Sequence, residues 1–207
     1  MSLPAAVTRL TETPAARAEG PAGRTPARAG TLRRAQHGEI AAFRELIHAY
    51  QDTVYSLALR MLKVPEDAEE LAQDVFVSAH RHLGRIASEA HLLFWLRRTV
   101  CHRAIDRLRR RPLSPPVPLD TAGEVSAPDV GTDPLLERRL RDMVMELAPI
   151  PRAVMVLRYQ EDLDPPEIAR TLGMPLNTVK SHLKRSLALL RRRYEEAATA
   201  RSAGGTP

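Results

Sequence analysis

The stretch DPPEIARTLGMPLNTVKSHLKRSLALLRRR, residues 164–193, decides how the chain is read. Asp164 is a helix-capping residue, Pro165 suits a first helical position, and Glu167 stands three residues after the cap, where its carboxylate reaches back to the cap amide. Ile168, Ala169 and Leu172 form the inward face of one short helix. Gly173 follows where a tight turn into a second helix needs a positive φ. Pro175 and Asn177 or Thr178 then start that second helix, with Val179, Leu183, Leu187 and Leu190 buried at helical spacing. Two helices around a glycine turn make a helix-turn-helix. Lys180, Ser181, His182, Lys184 and Arg185 point outward, and Arg191, Arg192 and Arg193 extend the stripe. Between Leu176 and Tyr194 there are six Lys or Arg residues and no acid. A solvated surface helix ordinarily mixes signs at i, i+4. An all-basic helix after a tight turn suits the major groove of DNA instead, its first residues reaching base edges and its flanking cations meeting phosphate.

Working outward, helical spacing holds from Leu135 to about Ala198, through Leu136, Leu140, Val144, Leu147, Val154, Val156, Leu157 and Tyr159, before a frayed tail over 199–207. Residues 112–134 break it with six prolines, two glycines and four acids (Asp120, Glu124, Asp129, Asp133), and no Lys or Arg. Such a segment is a semi-rigid tether that spans up to ~70 Å at about 3.1 Å per residue. Residues 31–111 hold a single proline, Pro65, and read as three or four helices. Ile40, Phe43, Ile47, Tyr50, Val54, Leu57 and Met61 share one face of a long helix or helix pair. Pro65 starts the next, with Ala68, Leu71, Ala72, Val75, Phe76, Ala79 and Leu83 inward and Gly84 as the residue that closes it. Glu66, Asp67, Glu69, Glu70 and Asp74 give that helix an acidic outer face, which repels a duplex and calls for a basic protein surface. A last helix, roughly 91–110, carries Leu93, Leu96, Val100 and Ala104 inward. It also carries Arg97, Arg98, Arg103, Arg107, Arg109 and Arg110, relieved only by Asp106. Phe94 and Trp95 beside these cations fit base stacking, but in a helical domain this small they read first as core anchors.

The remaining composition excludes more than it assigns. Of 207 residues, 31 are Lys or Arg and 25 are Asp or Glu, a formal net charge of +6 that suits a polyanionic partner. One cysteine, Cys101, excludes an internal disulfide framework and a Cys-rich zinc site, and its place in a helix makes it a buried, inert thiol. No apolar run of about eighteen residues offers a membrane span. Residues 1–30, rich in Ala, Pro and Arg, lack the apolar core of a secretory signal and read as a disordered tail. No phosphate-binding glycine loop and no HExxH motif is present, so no catalytic residue, cofactor or metal site is expected. His80 and His82, two apart on a helix, face different ways and do not make a ligand pair. The expectation is an all-α chain of two small helical domains, 31–111 and 135–198, joined by a flexible Pro-rich acidic linker at 112–134. The compartment expected is reducing and intracellular.

Two segments in order then meet a known family. DAEELAQDVFVSAHRHL (67–83) with FWLRRTVCHRAIDRLRRR (94–111) resembles region 2 of the extracytoplasmic-function (ECF) sigma factors of the sigma-70 family. LAPIPRAVMVLRYQEDLDPPEIARTLGMPLNTVKSHLKRS (147–186) resembles their region 4. The resemblance covers about 35–111 and 135–195. It implies an alternative sigma factor that binds bacterial core RNA polymerase, at the clamp helices of the largest subunit and the flap of the second-largest, and directs promoter-specific initiation. Core binding is implied for Asp67, Glu69, Glu70, Gln73, Asp74 and Phe76. Capture of the melted −10 element is implied for the 84–91 loop and for Trp95, Arg98, His102, Asp106, Arg109 and Arg110. Reading of −35 is implied for Thr178, Lys180, Ser181, His182, Lys184 and Arg185. His102 stands where many members have Asn, Asn177 replaces a common Gly and His182 a common Arg.

An anti-sigma factor is the further partner implied, and the chain is expected to be cytoplasmic, sequestered at the inner membrane face when that partner holds it there. The alternative is a conventional helix-turn-helix activator that binds palindromic half-sites as a dimer. TVKSH also occurs in such activators, but they carry a receiver or ligand-binding domain where this chain has its first helical half.

Overall fold

The computed structural model describes residues 30–110 and 134–203. Among them every regular element is helical, as the pattern of spacing predicts. Of the disordered tail expected at 1–30 and the acidic tether expected at 112–134, all but Gly30 and Pro134 lie outside the described residues, and Pro134 opens a helix instead.

The first half starts with α1 (Thr31–Gln36) and α2 (Ile40–Leu62). Ile40–Leu62 is one helix of 23 residues, not a helix pair, because no Pro or Gly interrupts it. Lys63 ends it in the left-handed region at φ 72°, its amide returning to Leu59 O at 3.0 Å. Pro65 is then the first residue of α3 (Pro65–His82), where its missing N–H costs nothing, and Glu66 and Asp67 face the positive end of the helix dipole. Gly84 does not close α3 with a positive φ. The chain passes instead into a 3-10 turn, Leu83–Arg85, with Ile86 N donating to Leu83 O, so the left-handed conformation is not needed there. In α4 (Glu89–Arg110), Ser88 Oγ accepts the His91 amide at 3.1 Å, and Arg107, Arg109 and Arg110 complement the C-terminal dipole.

α2, α3 and α4 pack into a bundle around Leu57, Met61, Leu71, Val75, Leu96 and Val100. Two residues expected inside are not. Ile40, at the first position of α2, is 69% exposed, and Phe94 is 36% exposed, because the bundle is filled from Ala42 and Leu46 on one side and Leu92 and Leu93 on the other.

The second half consists of α5 (Pro134–Met145), α6 (Pro149–Tyr159), α7 (Pro165–Leu172) and α8 (Leu176–Ala203). α5, α6 and α7 open on prolines. α8 continues to Ala203, and of its inward stripe Val179 and Leu190 are buried while Leu183 and Leu187 are half-buried. The two halves lie against each other. α6 packs on α2 and α4, and α7 packs on α4. Val154, Val156, Leu157, Leu163, Ile168 and Val179 belong to the same continuous apolar core as Leu57, Leu96 and Val100. A smaller cluster of Leu147, Met155 and Leu190 serves the second half alone. No described helix is long and apolar enough to cross a membrane.

Candidate nucleic-acid interface

The helix-turn-helix is built by local chemistry. Asp164 Oδ1 accepts the Glu167 amide at 2.7 Å, and Glu167 Oε2 accepts the Asp164 amide at 2.9 Å, a reciprocal capping box. Gly173 caps the C-terminus of α7 at φ 66°. A side chain there is strained by the backbone alone, and its Cβ would also lie 3.5 Å from Arg98 Nη2. Val179 anchors the first turn of α8 in the core. Thr178, Lys180, Ser181, Lys184 and Arg185 are exposed and His182 is half-exposed. Among the described residues none of Lys180, Lys184 and Arg185 has an acidic partner. The stripe is therefore uncompensated at its start, whereas its far end is not. Arg193 pairs with Glu146 at 2.6 Å and Arg192 with Glu196 at 3.4 Å.

On α4 the six residues implied for −10 do not share one environment. Asp106, Arg109 and Arg110 are exposed toward its end. Trp95 is half-buried against the core and lies beside His82, ring centroids 5.4 Å apart. His102 Nδ1 is 2.8 Å from the Arg98 carbonyl, which leaves Nε2 as its outward atom. The Arg98 side chain is taken. Its Nη1 donates to Arg170 O at 2.9 Å and Thr171 O at 3.2 Å, carbonyls left without helical partners at the end of α7.

The acidic face of α3 divides in two. Glu70 and Asp74 turn toward α4, where Arg107 meets them at 3.2 and 2.7 Å and Arg103 approaches Asp74 at 3.9 Å. Arg103 also donates to Ser78, and Arg107 to the Asp67 carbonyl. Part of the basic surface that the acids call for thus lies within the same bundle. Glu69 and Gln73 remain exposed. Beside them Phe43, Ile47, Phe76, Val77, His80 and Arg81 line a shallow groove of about 390 Å³, with Phe43 edge-on to His80 at 4.8 Å.

Four further residues carry the contact between the halves, and sequence reasoning assigned none of them that role. Glu161 is 5% exposed and receives Arg97 at 2.7 Å and Arg60 at 3.8 Å. Burial lowers the Arg60 pKa from its ordinary value, opposed by the charge of Glu161. Arg152 is buried, with no carboxylate partner among the described residues. It donates to Met61 O at 2.5 Å, to Leu147 O at 3.0 Å and to Met145 O, so it caps the ends of α2 and α5 together. Burial lowers its pKa also. A charge run marks Arg97, but a lone Glu161 gives no signal of that partner 64 residues away. Cys101 is fully buried, which pushes its thiol up to about 12. Among the described residues no group of three or more His, Cys, Asp or Glu is placed to hold a metal ion.

The chain is similar to known proteins over both halves. Residues 46–112 match the family Sigma-70 region 2 and residues 137–190 match Sigma-70, region 4. An RNA polymerase sigma-E factor of Streptomyces avermitilis is 34% identical over 159 residues, 77% of this chain and 88% of that protein. The ECF RNA polymerase sigma factor SigM of Mycobacterium tuberculosis is 32% identical over 157 residues, 75% of this chain and 78% of that protein. In fold the chain is similar to CnrH in its complex with the cytosolic domain of CnrY, with a TM-score of 0.61 and 22% identity over 83% of this chain and 99% of that one.

Proposed function

The chain belongs to the ECF sigma factors of the sigma-70 family, and from that premise we propose how its surfaces divide the work of promoter-directed initiation. It is an alternative sigma factor: it binds core RNA polymerase and directs transcription from specific promoters. Sigma factors are not enzymes, and the residues assigned here bind and position.

In this reading 31–111 is the region 2 domain and 135–198 the region 4 domain, joined by the 112–134 tether. The exposed stripe of α3, with Glu69, Gln73 and Phe76 in the lead and Asp67, Glu70 and Asp74 beside it, docks on the clamp helices of the largest polymerase subunit. Region 4 meets the flap of the second-largest. The start of α8 enters the major groove at −35, with Thr178, Lys180, Ser181 and His182 toward base edges and Lys184 and Arg185 on bases and phosphate. α4 receives the unpaired −10 strand through Trp95, Arg98, His102, Asp106, Arg109 and Arg110, and stacking and charge offset the cost of unpairing. The acidic tether passes through polymerase channels built for nucleic acid. The protein is cytoplasmic. As CnrH is seen with the cytosolic domain of CnrY, this chain is held by an anti-sigma partner until release.

The observation that carries the reading is the uncompensated basic start of α8, set by the capping box and Gly173 and joined in one chain to a region 2 bundle. The experiment mixes the purified chain with bacterial core polymerase, tests co-elution, and then tests run-off transcription from genomic fragments, including the chain's own upstream region. Co-elution with promoter-specific transcripts is expected. Failure to bind core, with tight dimeric binding to palindromic DNA, would overturn it in favour of a conventional activator.

A further inference from the structure

We infer that Gln36 is a positioning residue for promoter melting: through it α1 braces the turn that opens the 84–91 loop, and so fixes the shape of that loop before a base is captured. Neither α1 nor Gln36 has a part in the surfaces assigned above. The consequence rests on the −10 role that the resemblance implies for the loop; the brace itself is a matter of contacts.

The Gln36 side-chain nitrogen donates to Leu83 O at 2.9 Å and to Ile86 O at 2.8 Å, across 47 and 50 residues of chain. Both partners only accept, so the NH2 end of the amide faces them, and its two protons serve one carbonyl each. Leu83 and Ile86 bracket the 3-10 turn and are joined to each other by Ile86 N on Leu83 O. One side chain thus ties both ends. The turn lies where α3 has ended and α4 has not begun, so the helical ladders do not reach these carbonyls.

α1 is itself fixed by its neighbours, since a helix of six residues does not hold alone. Leu32 and Ala35 are buried in the core that also takes Leu83 and Ile86. Arg34 meets Glu39 and Glu45 at 2.9 Å each, and Thr31 Oγ1 donates to Glu45 at 3.1 Å, which ties α1 to the start of α2. The far side of the loop is held from α4, where His91 Nδ1 accepts the Ala87 amide at 3.1 Å. Between these fastenings Gly84, Arg85, Ala87 and Ser88 are exposed. The turn begins one residue after His82, whose ring lies 5.4 Å from that of Trp95. A crest of small residues with one cation therefore stands near the ring assigned to base stacking, on backbone placed in advance. A loop ordered before capture loses little freedom on binding. It also offers its contacts in one geometry, which is what selection of a base requires.

The test takes the full chain with Gln36→Met, which keeps the stem and removes both donors. Gln36→Glu keeps the shape and sets an acceptor against the two carbonyls. Arg33→Ala, on an exposed position of the same helix, is the control. Hydrogen exchange reads the brace without DNA. The amides of Ile86, Ala87 and His91, each hydrogen-bonded in the fold, should exchange about 10-fold faster in Gln36→Met, the weight of the two bonds lost. Gln36→Glu should do at least as much, and far-UV helicity should stay as in the wild type. Selection reads the consequence. Each chain, bound to core polymerase, is given a pool of short single-stranded DNA randomised in sequence. The wild type should enrich particular bases, and both Gln36 variants should reduce that enrichment about 10-fold, with co-elution with core and −35 duplex binding unchanged.

Wild-type exchange at these amides in both variants overturns the brace. Faster exchange with undiminished enrichment overturns the positioning role. An equal loss in Arg33→Ala assigns the effect to α1 at large and overturns the part given to Gln36. A wild-type complex that enriches nothing from the pool, while exchange quickens in Gln36→Met, refutes the −10 reading of the loop and leaves the brace standing.

Discussion

Asp164 and Glu167 each satisfy the other's amide at the entry to α7. Asp164→Ala should therefore cost about 1 kcal/mol of stability, read as a lower urea midpoint with an unchanged slope. Lys184 and Arg185 are exposed and have no acidic partner among the described residues, so replacing either should leave stability alone. Lys184→Ala or Arg185→Ala should weaken −35 duplex binding by about 1–3 kcal/mol where a base contact is lost, or reduce the salt slope by about 1 where a phosphate contact is lost. A salt titration of duplex affinity tells the two apart. Cys101 gives a pH dependence. Its thiol is pushed up to about 12 in the fold by burial, while an unfolded thiol ionises near ~8.5. The unfolded state then binds fewer protons between those values, so stability is full below the lower one and declines as pH rises toward the upper. Cys101→Ala should flatten that decline, measured by urea midpoints between pH 8 and pH 10.

At the scale of the element, α3 shows what a helical wheel reveals and what it hides. Its inward residues Ala68, Leu71, Ala72, Val75 and Ala79 are buried as their spacing requires. The charged side is one acidic surface in sequence, but α4 brings Arg103 and Arg107 against Glu70 and Asp74 and leaves Glu69 and Gln73 facing out. Which acid meets which arginine depends on the crossing of two helices, and neither sequence contains that. Capping residues are local, so Pro65, Asp164 and Gly173 were readable one by one. Ile40 departs from the stripe because the first turn of α2 packs through Ala42, which is fully buried, and leaves Ile40 69% exposed. This division makes a prediction about the polymerase surface. Glu69→Lys with Gln73→Lys should abolish co-elution with core polymerase while thermal unfolding and −35 binding stay as in the wild type. Asp74→Lys should weaken core binding and also lower the melting temperature, because it sets a third cation beside Arg103 and Arg107. Equal transcription from the first variant would remove α3 from the docking surface.

For the whole molecule, the tether between 112 and 134 suggests two independent bodies, and the fold class of two helical halves is correct. What the composition of a linker does not reveal is whether the bodies it joins touch. That depends on residues such as Arg152, whose guanidinium reaches Met61 O at the end of α2 as well as Leu147 O and Met145 O nearby. A buried cation on three carbonyls offers no charge pattern to the reader of a sequence. Its physical effect is to make the end of the first bundle part of the second. With the apolar core continuous across that junction, the halves should unfold together. In urea, Trp95 fluorescence reports the first half and far-UV circular dichroism reports both, and the two transitions should coincide. Arg152→Met leaves at least one buried carbonyl unpaired and should cost about 1–3 kcal/mol. It should also pull the transitions apart, because the first bundle keeps Leu57, Leu71, Val75 and Val100 in its own core while the second loses its anchor. Separate transitions in the wild type would instead mean that the halves are thermodynamically independent, and that Arg152 stabilises α5 and α6 alone.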